Sequence, residues 1–274
     1  MDLQLKDVHV LITGASGGIG LETARLFLQQ GAKVTAHYNS NRTTLEALIS
    51  EFGSGCVLAA QAQLTSEAEV ARLFTEANAV LGPVAVAIIN HGIWPTEDVP
   101  IAELSLERWQ TTINTNLTAA FLVARDFLQQ LKRAPDDVKD NASICFIGST
   151  AGKYGEAGHG DYAATKSALM YGLNRTLKNE IVKIAPKGRV NTVAPGWVVT
   201  PMAEAKLADS NVFYRAIATT PLQKVATPWD IATQVVVVSS PSMSGHVTGT
   251  TIMVEGGMEG RLLNRQTETG VEAY

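Results

Sequence analysis

The sequence predicts a single doubly wound α/β domain over residues 1–274, with a mostly parallel sheet of about seven strands and helices on both faces. Three observations predict it. Short apolar, β-rich runs alternate with longer stretches of helical periodicity along the chain. A glycine-rich turn, Thr13-Gly14-Ala15-Ser16-Gly17-Gly18-Ile19-Gly20, follows directly on the first of those runs. The 274 residues, 46% of them hydrophobic and 18% charged, supply the core that one large α/β domain needs.

The first strand, Val8 to Ile12, runs into the glycine turn and then into a helix, Leu21 to Gln30, that Gly31 ends. Strand, turn and helix in this order present backbone N–H groups and a positive helix end to a pyrophosphate. Glycine is required where backbone must approach phosphate or take a positive φ. Gly14, Ser16, Gly18, Ile19 and Gly20 are therefore the expected dinucleotide contacts of this turn. A second strand, Ala32 to His37, ends in Tyr38-Asn39-Ser40-Asn41-Arg42, and a third, Cys56 to Ala62, delivers Gln63 and Leu64. After a helix near 66–81, the strand Val84 to Ile89 leads to Asn90-His91-Gly92-Ile93-Trp94.

In the second half a helical pattern spans Leu106 to Lys132, a polar loop 133–141, and a fifth strand Ser143 to Ile147. A loop, 153–160, precedes a helix from Gly160 to Lys183, and a sixth strand, Arg189 to Val193, runs into Pro195-Gly196-Trp197-Val198-Val199-Thr200. The amphipathic stretch within 200–227 reads as a lid over the substrate. A last helix (Pro228–Val238) and a seventh strand (Thr250–Val254) follow, and the polar tail, 259–274, is expected to wrap a neighbouring subunit or to be disordered.

The chemistry gathers on Tyr162 and Lys166, four apart in Asp161-Tyr162-Ala163-Ala164-Thr165-Lys166 and so on one face of one helical turn. A phenol titrates near ~10 and exchanges protons poorly at neutral pH, but a nearby ammonium favours the phenolate. Ser149, thirteen residues before the tyrosine, offers a hydroxyl to hold the oxygen whose proton Tyr162 gives or takes. An i, i+4 Tyr/Lys pair is by itself ordinary helix surface; the glycine turn far upstream gives it a catalytic reading.

Taken together, Thr-Gly-x-x-x-Gly-x-Gly at the N-terminus and Ser149 with Tyr-x-x-x-Lys resemble the short-chain dehydrogenase/reductase family, from about Leu5 to Gly257. The resemblance implies reversible hydride transfer between a nicotinamide and a carbonyl or secondary alcohol, most simply ketone reduction. It assigns Ser149 to hold the substrate oxygen, Tyr162 to protonate it, Lys166 to keep the phenol acidic and bind the ribose, and Asn116 to help restore the proton. It also places Asn90 and Gly92 at the cofactor ribose, and Pro195, Gly196, Val198 and Thr200 facing the nicotinamide. Where NAD-preferring members carry an aspartate, Tyr38 stands here. Ser40, Asn41 and Arg42, beside Asn39, are free to hold a 2′-phosphate, so NADP(H) is expected in preference to NAD(H). Gln63 replaces the usual aspartate facing adenine, and its amide oxygen can still accept from the adenine amine. His91 replaces an alanine and reads as filler at the strand end. Trp94, Ser149, Trp197 and Met202 are expected to line the substrate pocket.

The small residues Ala163, Ala164, Ala168 and Gly172 offer a face for close helix approach, and the resemblance implies a homodimer or homotetramer. A net charge of -4 without a basic block argues against nucleic-acid partners and anionic membranes. The start lacks a charged region followed by a long apolar one, and no apolar stretch reaches the roughly 20 residues of a membrane span, so a soluble cytoplasmic protein is expected. The two cysteines, Cys56 and Cys145, read as buried free thiols, and the scattered histidines indicate no metal site. Two rival readings are an NAD-linked sugar or polyol dehydrogenase and a non-catalytic dinucleotide sensor or scaffold.

Overall fold

Burial follows the two-residue period of the strands. In β1 (His9–Ile12) Val10 and Ile12 enter one core layer while Leu11 enters the other. The computed structural model describes residues 2–258; the predicted tail, 259–274, lies outside the described residues. Chain order continues α1 (Gly18–Gln29), β2 (Lys33–Tyr38), α2 (Thr43–Phe52), β3 (Val57–Gln61), α3 (Glu67–Leu81) and β4 (Val86–Ile89). Then come α4 (Leu106–Ile113), α5 (Ala119–Leu131), α6 (Asp136–Asp140), β5 (Ser143–Ile147), α7 (Thr150–Tyr154), α8 (Gly160–Ser167), α9 (Asn174–Ile181) and β6 (Arg189–Pro195). The chain closes with α10 (Pro201–Leu207), α11 (Ser210–Ala218), α12 (Pro228–Ser239), α13 (Pro241–Ser244) and β7 (Thr251–Val254).

Among the described residues all seven strands are parallel, in the order β3-β2-β1-β4-β5-β6-β7. The order reverses direction between β1 and β4, and in such a sheet the crevice at the carboxyl ends beside that reversal takes the ligand. One core layer, with Phe27, Leu45, Val235 and Val236, lies under α1, α2 and α12; the other, with Phe74, Phe127, Leu177 and Ile181, lies under α3, α5 and α9. Real caps hold the helices that frame the site: Ser66 accepts from the Glu69 N–H at the start of α3, and Thr227 with Asp230 forms a capping box on α12.

The two long predicted helices are each interrupted. A π-helical turn, Asn114–Thr118, separates α4 from α5, and a second, Ala168–Leu173, separates α8 from α9. Such turns insert one extra residue into the helical ladder and often stand at functional sites. The predicted polar loop 133–141 contains the short α6. The predicted lid is two short helices, α10 and α11, closed by a bridge between Val198 and Ala226.

One expectation about the thiols is corrected. Cys145 is buried on β5, and burial pushes its thiol up to about 12. Cys56 is exposed, because it sits in the turn just ahead of β3, where the apolar run has not yet entered the sheet. Among the described residues no helix is long and apolar enough to cross a membrane, and no cluster of potential metal ligands occurs.

Candidate active site

A cleft of about 1200 Å³ opens at the carboxyl ends of the strands. Its phosphate-facing end is built from the glycine turn. Gly14 has φ +64°, and a Cβ on Gly20 would stand 2.3 Å from the Gly14 carbonyl oxygen and 2.7 Å from Asn90 Nδ2. Both positions therefore need glycine, one for its dihedral and one for space. The N-terminus of α1 has no side-chain cap and no acid in its first turn. Its N–H groups and positive dipole end fit a pyrophosphate.

Two histidines brace this turn. His37 on β2 accepts the Gly14 N–H at Nδ1 (3.0 Å) and bonds the Ala62 carbonyl through Nε2 (2.9 Å). Burial lowers its pKa to about 4, so the neutral ring can both accept and donate. His91 Nδ1 lies 2.8 Å from Thr13 Oγ1, which also accepts the Asn90 N–H. Burial first, then the charges of His37 and Lys166, lowers its pKa to about 3. The expected filler at the strand end is thus a hydrogen-bonded bracket. Asn90 completes it, donating through Nδ2 to the carbonyls of Thr13 and Gly14.

Most of the predicted site converges on the cleft. Gly14, Ser16, Gly18, Ile19, Gly20, Asn39, Gln63, Leu64, Asn90 and Gly92 line it, as do Pro195, Gly196, Val198 and Thr200, and Trp94, Trp197 and Met202. Tyr38, Ser40, Asn41 and Arg42 stand off its lining. Tyr38 packs against the core, Asn41 accepts the Thr43 N–H, and Arg42 pairs with Glu46 at 2.9 Å. The exposed start of α2 allows these side chains local partners instead of a shared pocket.

Ser149, Tyr162 and Lys166 meet on the floor of the cleft. Ser149 Oγ caps α7 by accepting the Ala151 N–H (3.1 Å) and stands close enough to the Tyr162 phenol to bear on its pKa. Lys166 Nζ donates to the Ile147 carbonyl (2.8 Å) and lies 5.6 Å from the Tyr162 ring centre. A Cβ on Gly92 would be 3.2 Å from Asn116 Oδ1 and 3.7 Å from Lys166 Nζ, so Gly92 keeps open the space between them.

The expectation that the ammonium makes the phenol acidic is corrected. Burial pushes the Tyr162 phenol above its ordinary value, the Ser149 hydroxyl opposes this, and the charge of Glu156 raises it further. Lys166 is itself lowered to about 8 by burial, which weakens the charge it can offer. The floor of the cleft therefore holds a neutral phenol, a proton donor.

Asn116 sits in the first π turn, fully buried behind the cleft lining. Its side chain accepts the Ile93 N–H (2.7 Å) and donates to the Ile93 carbonyl (2.8 Å), tying that turn to the loop after β4. Asp161, also fully buried, accepts from Thr112 Oγ1 (2.8 Å) and Arg108 Nε (3.2 Å), fastening α8 to α4. Burial works to raise its carboxyl, but the bonds from Thr112, the Tyr162 backbone and Arg108 outweigh it, and the group lies below its usual range.

Sequence reasoning missed Glu156, Asp98 and Lys206 at the substrate end and His37 at the phosphate end. Each is paired with a residue far away in the chain, as Lys206 is with Asp98 at 2.8 Å, so no local pattern announces it.

A parallel sheet of this order, a glycine turn fitted to a pyrophosphate, and a serine–tyrosine–lysine floor define an NAD(P)-dependent oxidoreductase acting on CH–OH and C=O groups. Residues 8–211 match the family model described as short chain dehydrogenase, and the chain belongs to that family. It is 30% identical over 259 residues to the 3-oxoacyl-(acyl-carrier-protein) reductase of Vibrio harveyi, covering 93% of this chain and 99% of that protein. It is 31% identical over 258 residues to the enzyme of the same name from Thermotoga maritima, covering 93% and 99%. A crystal structure from Brucella melitensis, titled a short-chain dehydrogenase/reductase and glucose/ribitol dehydrogenase, superposes with a TM-score of 0.83 at 31% identity, covering 94% of this chain and 99% of that one.

Proposed function

We propose that this single-domain protein is a ketoreductase, reducing the carbonyl of a small molecule reversibly to a secondary alcohol with NADP(H) in preference to NAD(H). The observation that carries the reading is a Tyr162 phenol, kept neutral by burial, on the same cleft lining as Ser149 and Lys166. Bound reduced nicotinamide supplies the hydride for the carbonyl carbon. As negative charge grows on the carbonyl oxygen, Ser149 donates a hydrogen bond to it and Tyr162 gives it a proton. Lys166, beside the phenol, favours the phenolate as it forms and binds ribose hydroxyls. Asn116 holds the π turn through which the proton is restored. The names of the relatives from Vibrio harveyi and Thermotoga maritima support keto reduction.

The NADP(H) preference rests on Tyr38 standing where an acid would repel a 2′-phosphate, with Ser40, Asn41 and Arg42 beside it. The Arg42–Glu46 pair favours a second reading, an NAD-linked polyol dehydrogenase, because a 2′-phosphate must compete with Glu46 for the guanidinium. Fluorescence titration with NADPH and NADH decides between them, and tighter binding of NADH overturns the preference. For the chemistry, Tyr162→Phe is expected to bind dinucleotide almost unchanged and to lose turnover of a working ketone by orders of magnitude. Retained turnover refutes the assigned acid.

A homodimer or homotetramer, joined through α4–α5 and α8–α9, is supported by exposed Phe121 and Leu106 and by the open space at Gly172. A cytoplasmic location completes the reading.

A further inference from the structure

We propose that Glu156 selects the substrate: a ketone that carries a neutral hydroxyl within reach of the Glu156 carboxylate, over both purely hydrocarbon and anionic ketones. The inference rests on the ketoreductase reading and deepens it.

Glu156 lies on the loop between α7 and α8, in the wall of the cleft that also holds Ser149 and Tyr162. Its side chain is only about a quarter exposed, at 26%. It is close enough to Tyr162 for its charge to bear on the phenol. The carboxylate is aimed by Trp94, whose indole N–H approaches both oxygens at 3.2 and 3.3 Å. Trp94 cannot turn away easily. It stacks on His159 at 4.6 Å, meets the edge of Trp197 at 5.8 Å, and lies under the Lys206 ammonium at 5.8 Å. His159 is held in turn by its Nε2 bond to the Pro95 carbonyl (2.8 Å).

Burial raises the Glu156 carboxyl above its usual range, while the His159 charge and the Trp94 N–H oppose this; ionised, it has about four acceptor positions, and the indole N–H with His159 Nδ1 at 3.6 Å leaves some of them unfilled. A hydrocarbon substrate closing over Glu156 would strip water from those positions and return nothing, which a buried polar group makes costly. A hydroxyl donates to them. An anionic ketone meets the like charge of Glu156, with Asp98 nearby on the same lining. A cationic one meets Lys206, which is paired with Asp98 and lies above Trp94. The neutral donor is the class that the charges admit.

The test uses ketones matched in size. Hydroxyacetone, 4-hydroxy-2-butanone and 5-hydroxy-2-pentanone vary the distance of the hydroxyl, each against the ketone with methyl in its place. Acetoacetate serves as the anion. With wild-type enzyme, kcat/KM for the best hydroxyketone should exceed its methyl counterpart by about tenfold or more, the worth of one charge-assisted hydrogen bond. Acetoacetate should rank last. In Glu156→Gln the hydroxyl-to-methyl ratio should fall severalfold and the handicap of acetoacetate should shrink. Trp94→Phe, which removes the N–H that aims the carboxylate, should lower the same ratio less. Dinucleotide titration of each variant confirms a folded site. Ratios near one in wild type, or ratios that Glu156→Gln leaves unmoved, overturn the inference while the ketoreductase reading stands. No turnover of any ketone by wild type, with dinucleotide bound, overturns that reading instead.

Discussion

Replacing Lys166 with methionine should make the protein more stable at neutral pH while abolishing its turnover. The ammonium is lowered from 10.5 to about 8 by burial alone. That drop is worth about 3 kcal/mol of penalty whenever the group is charged in the fold. Methionine removes the penalty and also the hydrogen bond to the Ile147 carbonyl, whose loss costs about 1–2 kcal/mol. A net gain of about 1–2 kcal/mol is expected near pH 7. The pH dependence is the sharper signature. Between about pH 8 and 10.5 the unfolded lysine still binds a proton that the folded one has released, so wild-type stability rises with pH in that window. In Lys166→Met this contribution is gone. Urea unfolding of both proteins without dinucleotide, followed by tryptophan fluorescence, should show wild type recovering about 2–3 kcal/mol relative to the variant between about pH 7.5 and 10. His91, whose pKa the Lys166 charge also lowers, is neutral throughout that range, so its contribution drops out of the difference. A gap that stays constant across that range refutes a desolvated Lys166.

Gly20→Ala places a methyl 2.3 Å from the Gly14 carbonyl oxygen, so the turn must open; dinucleotide affinity should fall by more than about tenfold, roughly 1.4 kcal/mol, with a lower melting temperature, and unchanged titration would show that the turn yields freely. Asn116→Ala leaves both the N–H and the carbonyl of Ile93 without their partner, and chemical denaturation should report a loss of about 2–4 kcal/mol. Asp161→Asn removes a carboxylate that Thr112 and Arg108 hold below its ordinary value. Its stabilisation is present above the unfolded pKa of ~3.9 and is lost as pH falls through the lower folded value, so the gap of about 1–3 kcal/mol at pH 7 should close in acid, as thermal melts across pH would reveal.

The fold was legible because strand runs, glycine turn and helical stretches agree with one another at every level. Val10, Leu11 and Ile12 read in the sequence as an unbroken apolar run, as a strand buried on both faces requires, and the glycine turn already announces the backbone's approach to phosphate. Ser149, Tyr162 and Lys166 were legible as a group because two of them share one helical turn and the third ends the strand beside it. The acidity of Tyr162 was not, since it depends on how much protein surrounds the ring, and spacing carries no information about depth. Nor were the partners of Arg42, because an exposed helix start lets a long side chain choose its nearest carboxylate. The Trp94, Glu156 and His159 assembly was invisible for a different reason. Trp94 and Glu156 are sixty-two residues apart, and only the closing of the sheet brings them together.

The two π turns bear on how insertions and deletions at this site would be felt. Each holds one residue beyond what an α-helix needs, so the helix faces before and after it are out of phase by about 100° per residue. In the second long helix this offset lets Tyr162 and Lys166 look into the cleft while Leu177 and Ile181, on the same rod, look into the core. Shortening 168–173 by a single residue would give a more regular helix and a worse enzyme: with the far end gripped by the core, the near end would have to rotate and carry the phenol away from Ser149.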